Sequence, residues 1–340
     1  MQDISVNRAV ALPALLAVGT VGLAVSISLM TGVDGSRVFL PYLTTWAAVT
    51  LVAILCWVFV QVARLALTLA DRPLQTVMGQ LGDPCRLTIL PALIFPLFLA
   101  GYTWAKCSIP FAVGYSWEAY WANADHALLG QDAWRLAHSL MPASLGPAWT
   151  FFYAVIWGFA LVFSGAFVAT FASRRFTGTF FTALMLSWFI GGIVMAYAIS
   201  AAGPVFAHLA DPELAGRFLP LRRELVSTLG EDDLVMLSQR YLAAAINVKI
   251  ALKGGGISAM PSMHIATATI LVIAALETRW LPLAGLFWMM TFFGSVYLGF
   301  HYAVDAPIAA VTAVSCWAIA RRIYREHETT KALPAMAHRL

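Results

Sequence analysis

Runs of about 20 predominantly apolar residues, enough to cross a bilayer as a helix, recur near 10–30, 42–64, 88–105, 148–171, 180–200, 258–276, 281–300 and 303–320. The pattern predicts an all-α integral membrane protein with about eight transmembrane helices. The connections between the runs are of two kinds. One kind is basic: Arg64, Arg72 and Arg86 flank the second connection, Arg174 and Arg175 fill the fourth, Arg279 lies in the sixth, and Arg321, Arg322 and Arg325 follow the last run. Basic connections stay in the cytoplasm, and all of these fall on one side of an eight-span count. Both termini are then expected inside, and residues 31–41, 106–147, 201–257 and 301–302 outside.

Two outer connections are long and patterned. Residues 115–140, "YSWEAYWANADHALLGQDAWRLAHSL", set Trp117, Tyr120, Trp121 and Trp134 among charged residues, as in an amphipathic segment lying on the membrane surface. Residues 204–253 show helix-like apolar spacing broken at Pro212, Pro220 and Gly230, which predicts short helices capping the outer ends of the spans. The first apolar run is long enough to span and lacks a small-residue cleavage site, so it reads as a retained helix. The chain reads as one membrane domain: two additional N-terminal helices over 1–87, a six-helix bundle over 88–325, and a cytoplasmic tail over 326–340.

Composition sharpens the class. The chain is 61% hydrophobic and 11% charged, with a mean hydropathy of +0.79; soluble domains are about half apolar and a quarter charged. A net charge of +4 would point to nucleic acid in a soluble protein. Here the basic residues sit in short connections and at the C-terminus, and no nucleic-acid partner is expected. Cys56, Cys85, Cys107 and Cys316 form no CxxC pair, so neither a disulfide framework nor a zinc site is indicated.

Titratable groups at the mouth of a span are costly and usually functional. In "GISAMPSMHIATATI", Ser262 is a good N-cap after the flexible Gly254-Gly255-Gly256, and the exposed amides of a helix start favour phosphate. In "GSVYLGFHYAVDAPIAA", His301 and Asp305 straddle the outer start of the last span. Their spacing of four puts both on one face of a helix. A carboxylate accepting a proton from one imidazole nitrogen leaves the other as an outward lone pair, a nucleophile. The span count brings His264 and His301 to the same membrane face.

PSMH followed by a histidine with an aspartate four residues on resembles the type 2 phosphatidic acid phosphatase superfamily, with its pattern PSxH and then SRxxxxxHxxxD. The resemblance implies that His301 is a nucleophile forming a phosphohistidine, that Asp305 orients it, that His264 is the general acid, and that Ser262 contacts phosphate. It also implies a metal-independent, cofactor-free enzyme. Where the family has Ser-Arg, this chain has Gly294-Ser295. The third motif, KxxxxxxRP, has no good match: Arg72-Pro73 follows Leu65 at the lysine position and falls on the cytoplasmic side.

Those losses resemble a branch that includes fungal inositol-phosphorylceramide synthase and bacterial relatives. Gly203-Pro204 in "YAISAAGPVF" and the segment "ADHALLGQDAW" are similar to that branch. The expected activity is transfer of a phosphoryl or phospho-head group from a lipid phosphoester to an alcohol, of the inositol or sphingolipid type, at the extracytoplasmic face of a membrane, the cell inner membrane being the expected one. The alternatives are a lipid phosphate phosphatase using water and a non-catalytic lipid transporter. Substrate contacts are expected from Ser262, Gly203 and Pro204, and from cations of the outer loops, Lys253 and Arg240 first, then Lys249, Arg222 and Arg223. As bland readings, Lys253 and the loop arginines belong to a solvated face, Asp125, His126, Asp132, Arg135 and His138 are ordinary polar positions of an interfacial helix, and His208 is structural or exposed.

Overall fold

The computed structural model describes residues 3–68, 72–80 and 82–325; the tail 326–340 expected in the cytoplasm lies outside them. The described residues are helical, with no strand and a single isolated bridge between Asp34 and Ile250. In chain order the main helices are α1 (Val6–Thr31), α2 (Ser36–Leu67), α3 (Leu90–Ala112), α4 (Glu118–Leu129), α5 (Ala133–Leu140), α6 (Ala143–Phe171), α7 (Arg174–Ala198), α8 (Pro212–Leu229), α9 (Leu234–Val248), α10 (Met263–Ala275), α11 (Leu281–Tyr297) and α12 (Asp305–Arg325). Six of them, α1, α2, α3, α6, α7 and α12, are long and apolar enough to cross a membrane. The architecture is that of an integral membrane protein.

Two apolar runs form shorter helices than their lengths predict, α10 with 13 residues and α11 with 17. The run from 258 begins in extended backbone, where the Ala259 amide donates to the Ala201 carbonyl at 2.8 Å; the helix starts only after Pro261, with the Ser262 hydroxyl capping the Ile265 amide. The run to 300 stops at Leu298 because Gly299 turns to φ +72°, a conformation that ends helices.

Helices α3 and α7 form the centre, with 72% of their apolar windows buried against 22–39% for the other four. In lipid, helix association rests on close packing rather than on exclusion of water. Gly101 supplies such packing: a Cβ there would stand 2.9 Å from the Val21 backbone, so α1 lies flush on α3. Around this contact Trp46, Phe95, Phe98, Tyr102, Phe181 and Trp188 are buried and paired edge-on or stacked. The outward faces are apolar instead; on α6, Phe159, Phe163, Phe167 and Phe171 form an exposed ladder of stacked rings.

The molecule has two chemically different ends. At one, the Asp3 carboxylate accepts from the amides of Arg174 (2.8 Å) and Arg175 (3.1 Å), and the Arg8 guanidinium donates to the Ile323 carbonyl at 3.0 Å. The start of α1, the α6–α7 turn and the basic end of α12 therefore meet. Asp305 begins the 21-residue α12 at the opposite end, roughly 30 Å from Arg325 along the helix.

At that opposite end the chain before α2 is stitched to the segment before α10. The Asp34 amide donates to the Lys249 carbonyl at 2.9 Å and the Ala251 amide to the Asp34 carbonyl at 2.8 Å. The Trp104 indole donates to the Val33 carbonyl at 2.8 Å, and the Gly254 amide to the Tyr42 hydroxyl at 3.0 Å. Residues 204–253 form a short turn at Pro204–Leu209 and then α8 and α9. Asp211 caps α8 with Pro212 in its first turn, Gly230 ends it, and Pro220 lies within it; Asp233 caps α9.

Candidate active site

His301 and Asp305 converge by a different route from the helical face that their spacing predicts. Residues 301–304 form a turn, and α12 begins only at Asp305. The turn still closes the pair: His301 Nδ1 lies 2.6 Å from Asp305 Oδ2 and 2.7 Å from the Ala259 carbonyl oxygen. A carboxylate and a carbonyl can only accept, so Nδ1 carries the proton and Nε2 carries the lone pair. Nε2 faces the Ser262 hydroxyl at 3.2 Å. That hydroxyl already accepts from the Ile265 amide, which leaves its own proton to point at Nε2. The other Asp305 oxygen accepts from the Ser262 amide at 2.5 Å. Ser262 is fully buried, Asp305 is 1% exposed and His301 6%. One carboxylate thus ties the Pro-Ser-Met-His segment to the His301 turn.

His264, in the first turn of α10, brings its ring to 5.8 Å from that of His301, with planes at 63°. The two imidazoles, remote in sequence, share one site at one end of the molecule. Helix α6 holds the His264 ring from the other side: Tyr153 stacks on it at 4.5 Å, Trp157 lies against it at 4.1 Å, and the Trp157 indole donates to the His264 carbonyl at 3.3 Å. Tyr153 lies within a π-helical turn over Phe152–Ile156 and Trp157 follows it directly, a distortion frequent at functional sites. Among the described residues the buried Tyr153 hydroxyl has no hydrogen-bond partner. The amides of Met263 and His264, at the open start of α10, carry none among the described residues.

Gly203 packs behind this turn with φ +98°, and a Cβ on it would stand 2.4 Å from the Phe300 carbonyl oxygen and 2.9 Å from Ala259 Cβ. Only glycine fits that combination of backbone angle and contact. Pro204 lines a cavity of about 250 Å³ with Val205, His208, Phe218, Leu219 and Arg222. Burial and the neighbouring Arg222 charge hold His208 below the usual imidazole range.

The outer-loop cations expected at the phosphate are engaged elsewhere. The Lys253 ammonium donates to Thr45 Oγ1 at 2.6 Å on α2, and Lys249 donates to the Thr31 carbonyl at 3.4 Å. Arg240 pairs with Glu231, 3.5 Å from its carboxylate. Arg222 and Arg223 are exposed. Sequence reasoning missed Lys106, in the last turn of the main helical stretch of α3. It is partly buried, its stem packs under Gly256, and its ammonium has no hydrogen-bond partner among the described residues. A lone lysine closing an apolar span was the available signal, since ionisable groups in spans default to function.

Several polar residues of 115–140 also depart from the ordinary interfacial positions expected of them. Glu118, Asp125 and Asp132 are buried. Glu118 accepts from the amides of Ala202 and Gly203 and from the Tyr302 hydroxyl, and Asp125 accepts from the Val304 amide at 3.0 Å. Asp132 is paired with Arg217 and lies 3.3 Å from His126. His138 donates to the Tyr297 carbonyl at 2.8 Å and lies 2.9 Å from the Glu224 carboxylate. Arg135 remains exposed, over the Trp134 ring at 4.4 Å. Burial pushes the Glu118 and Asp125 carboxyls above the usual range, and the hydrogen bonds that they accept oppose it. The segment inverts because the backbone it covers carries unpaired N–H groups, which only inward acceptors can satisfy. Among the described residues no three His, Cys, Asp or Glu side chains converge as a metal cage.

No curated protein and no solved structure matches the chain significantly. The family model of the PAP2 superfamily matches residues 123–320, a stretch holding His264, His301 and Asp305. The match covers more than half of the chain, which therefore belongs to the PAP2 superfamily, with the lipid phosphatase or phosphotransferase kind of activity that membership implies.

Proposed function

We propose that the protein transfers a phosphoryl or phospho-head group from a lipid phosphoester to an alcohol through a phosphohistidine at His301. The observation that carries this reading is the meeting of the His264 and His301 rings at 5.8 Å, with His301 Nδ1 bound to Asp305. The phosphate would sit at the open amides of α10, with the Ser262 hydroxyl turning from Nε2 to a phosphate oxygen. Lys106 supplies the cation that the missing family arginine would have provided, against the charge spread over the transferring group.

His301 Nε2 gives its lone pair to phosphorus and the bond to the leaving oxygen breaks. Protonated His264 hands its proton to that oxygen, and the Nδ1–H of the charged phosphohistidine stays on Asp305. Neutral His264 then takes the proton of the acceptor hydroxyl as its oxygen attacks phosphorus, and the N–P electrons return to Nε2. The Gly203-Pro204 segment against Phe300, together with the largely apolar cavity beside it, supports the inositol-phosphorylceramide synthase-like branch and a lipidic partner. The basic end of α12, remote from the site, supports an extracytoplasmic site with both termini in the cytoplasm of an inner membrane, and α10 and α11 would complete eight spans.

Purified protein incubated with a labelled lipid phosphodiester, with and without inositol, sugar alcohols or ceramide, tests the reading. A new lipid or head-group ester that disappears in His301→Ala is expected. Free phosphate as the only product under every acceptor would make the protein a phosphatase, and full activity of His301→Ala would end the nucleophile assignment.

A further inference from the structure

A histidine and a carboxylate four apart on a helix are held together by the helix itself. His301 and Asp305 lack the continuous ladder of an α-helix: the residues between them form a turn, with two i→i+3 bonds of 3.3 Å, from the Asp305 amide to the Tyr302 carbonyl and from the Ala306 amide to the Ala303 carbonyl. Side chains of another helix add to these bonds. The turn is anchored from α4, by two acidic side chains seven residues apart and thus on one face. Glu118 takes the Tyr302 hydroxyl at 2.5 Å, and Asp125 takes the Val304 amide at 3.0 Å. Two of the three residues between His301 and Asp305 are held by these carboxylates.

Glu118 reaches the site by a second path. Its oxygens accept from the Ala202 and Gly203 amides. The neighbouring Ala201 carbonyl accepts from the Ala259 amide at 2.8 Å, and the Ala259 carbonyl accepts from His301 Nδ1 at 2.7 Å. A buried carboxylate with three donors and, among the described residues, no cation paired with it is costly to bury, and its placement is explained by what it holds. Glu118 lies before the stretch that matches the superfamily.

We propose that Glu118 and Asp125 are positioning residues for His301, setting the turn and the Ala259 carbonyl so that Nδ1–H stays on Asp305 and Nε2 faces the substrate. The proposal deepens the phosphotransfer reading and rests on it for its kinetic arm. Misplacement of a reacting group by about 1 Å can cost about 10²-fold in rate. Glu118→Gln replaces one acceptor oxygen by a donor, facing either the two amides or the Tyr302 hydroxyl.

The test uses full-length protein in detergent micelles with dioctanoyl phosphatidic acid as probe, and reads the hydrogen-bonded Nδ1–H of His301 by proton NMR, assigned through its loss in Asp305→Asn. Glu118→Gln and Asp125→Asn are expected to move that resonance upfield and to lower kcat about 10²-fold, with KM within about twofold. Tyr302→Phe, which keeps the carboxylate and its amide bonds, is expected to do the same to a smaller degree. It takes the place of Glu118→Gln if that variant elutes as aggregate. An unmoved resonance with unchanged kcat overturns the proposal. A moved resonance beside a fully active His301→Ala leaves the positioning in place and overturns the phosphotransfer reading instead.

Discussion

Replacing Asp305 by asparagine changes one oxygen into NH₂ at nearly constant volume, and the site offers that NH₂ no partner. The two carboxylate oxygens accept from the Ser262 amide at 2.5 Å and from His301 Nδ1 at 2.6 Å, and the side chain is 1% exposed. Either orientation of the amide keeps one acceptor and sets its NH₂ against an N–H. The variant loses one hydrogen bond to a charged group, about 1.5–3 kcal/mol, and strands a buried donor at about 1–3 kcal/mol. The Ala259 carbonyl, 2.7 Å from Nδ1, still holds the proton there, so the Nε2 lone pair survives. What disappears is the negative charge facing the imidazole as it gains positive charge on phosphorylation. With about 1.4 kcal/mol per tenfold, a loss of about 3–5 kcal/mol lowers kcat by about 10²–10⁴-fold, while KM moves little. Rapid-quench labelling with a ³²P-lipid should show slower formation of the phosphoenzyme. Activity within tenfold of the wild type, or a defect confined to phosphoenzyme breakdown, would refute the reasoning.

Lys106→Met keeps the stem packed under Gly256 and removes the charge; kcat/KM for a lipid phosphate should fall about 10²-fold, read by steady-state kinetics, while Lys253→Met, on Thr45, should fall less than threefold. His264→Asn should slow an alkyl phosphoester about 10²–10⁴-fold but a nitrophenyl ester far less, because nitrophenoxide leaves without a proton. Gly203→Ala, with its Cβ against the Phe300 carbonyl at positive φ, should destabilise the fold by about 2–4 kcal/mol, seen as a lowered Tm in detergent. His208 is held below the imidazole value of 6.5 in the folded state, so the unfolded chain binds its proton first as pH falls. Stability is then full above about 6.5 and declines below it until the folded value is passed; comparing the Tm of wild type and His208→Asn at pH 7.5 and 5 should show a shallower decline in the variant.

The sequence carries the apolar spans, the His264 and His301 pair and Asp305 openly, because each is a local pattern: a run length, a cap before a helix, a spacing of four. What it conceals depends on the backbone of another segment. Glu118 and Asp125 look solvated until their partners, the amides of Ala202, Gly203 and Val304, are seen. Lys106 is hidden because only folding brings the last turn of α3 against Gly256, in the segment that leads into α10. The spacing of His301 and Asp305 points to the right partner through the wrong geometry, since a turn also closes a separation of four. The runs at 258–276 and 281–300 overstate their helices because residues flanking Pro261 and Gly299 spend their peptide groups on other segments.

The backbone exchange between Asp34 and residues 249–251 bears on how small a working version of this enzyme can be made. The superfamily's portion begins at 123, yet the strap that delivers His264 leans on the hairpin between the first two membrane helices. Expressing that portion alone would leave the Ala251 amide and the Lys249 carbonyl bare and would also remove α3 with Lys106, and Glu118; supplying residues 1–122 as a separate chain should restore them. The first two helices thus brace, from outside the matched stretch, the segment that leads into His264.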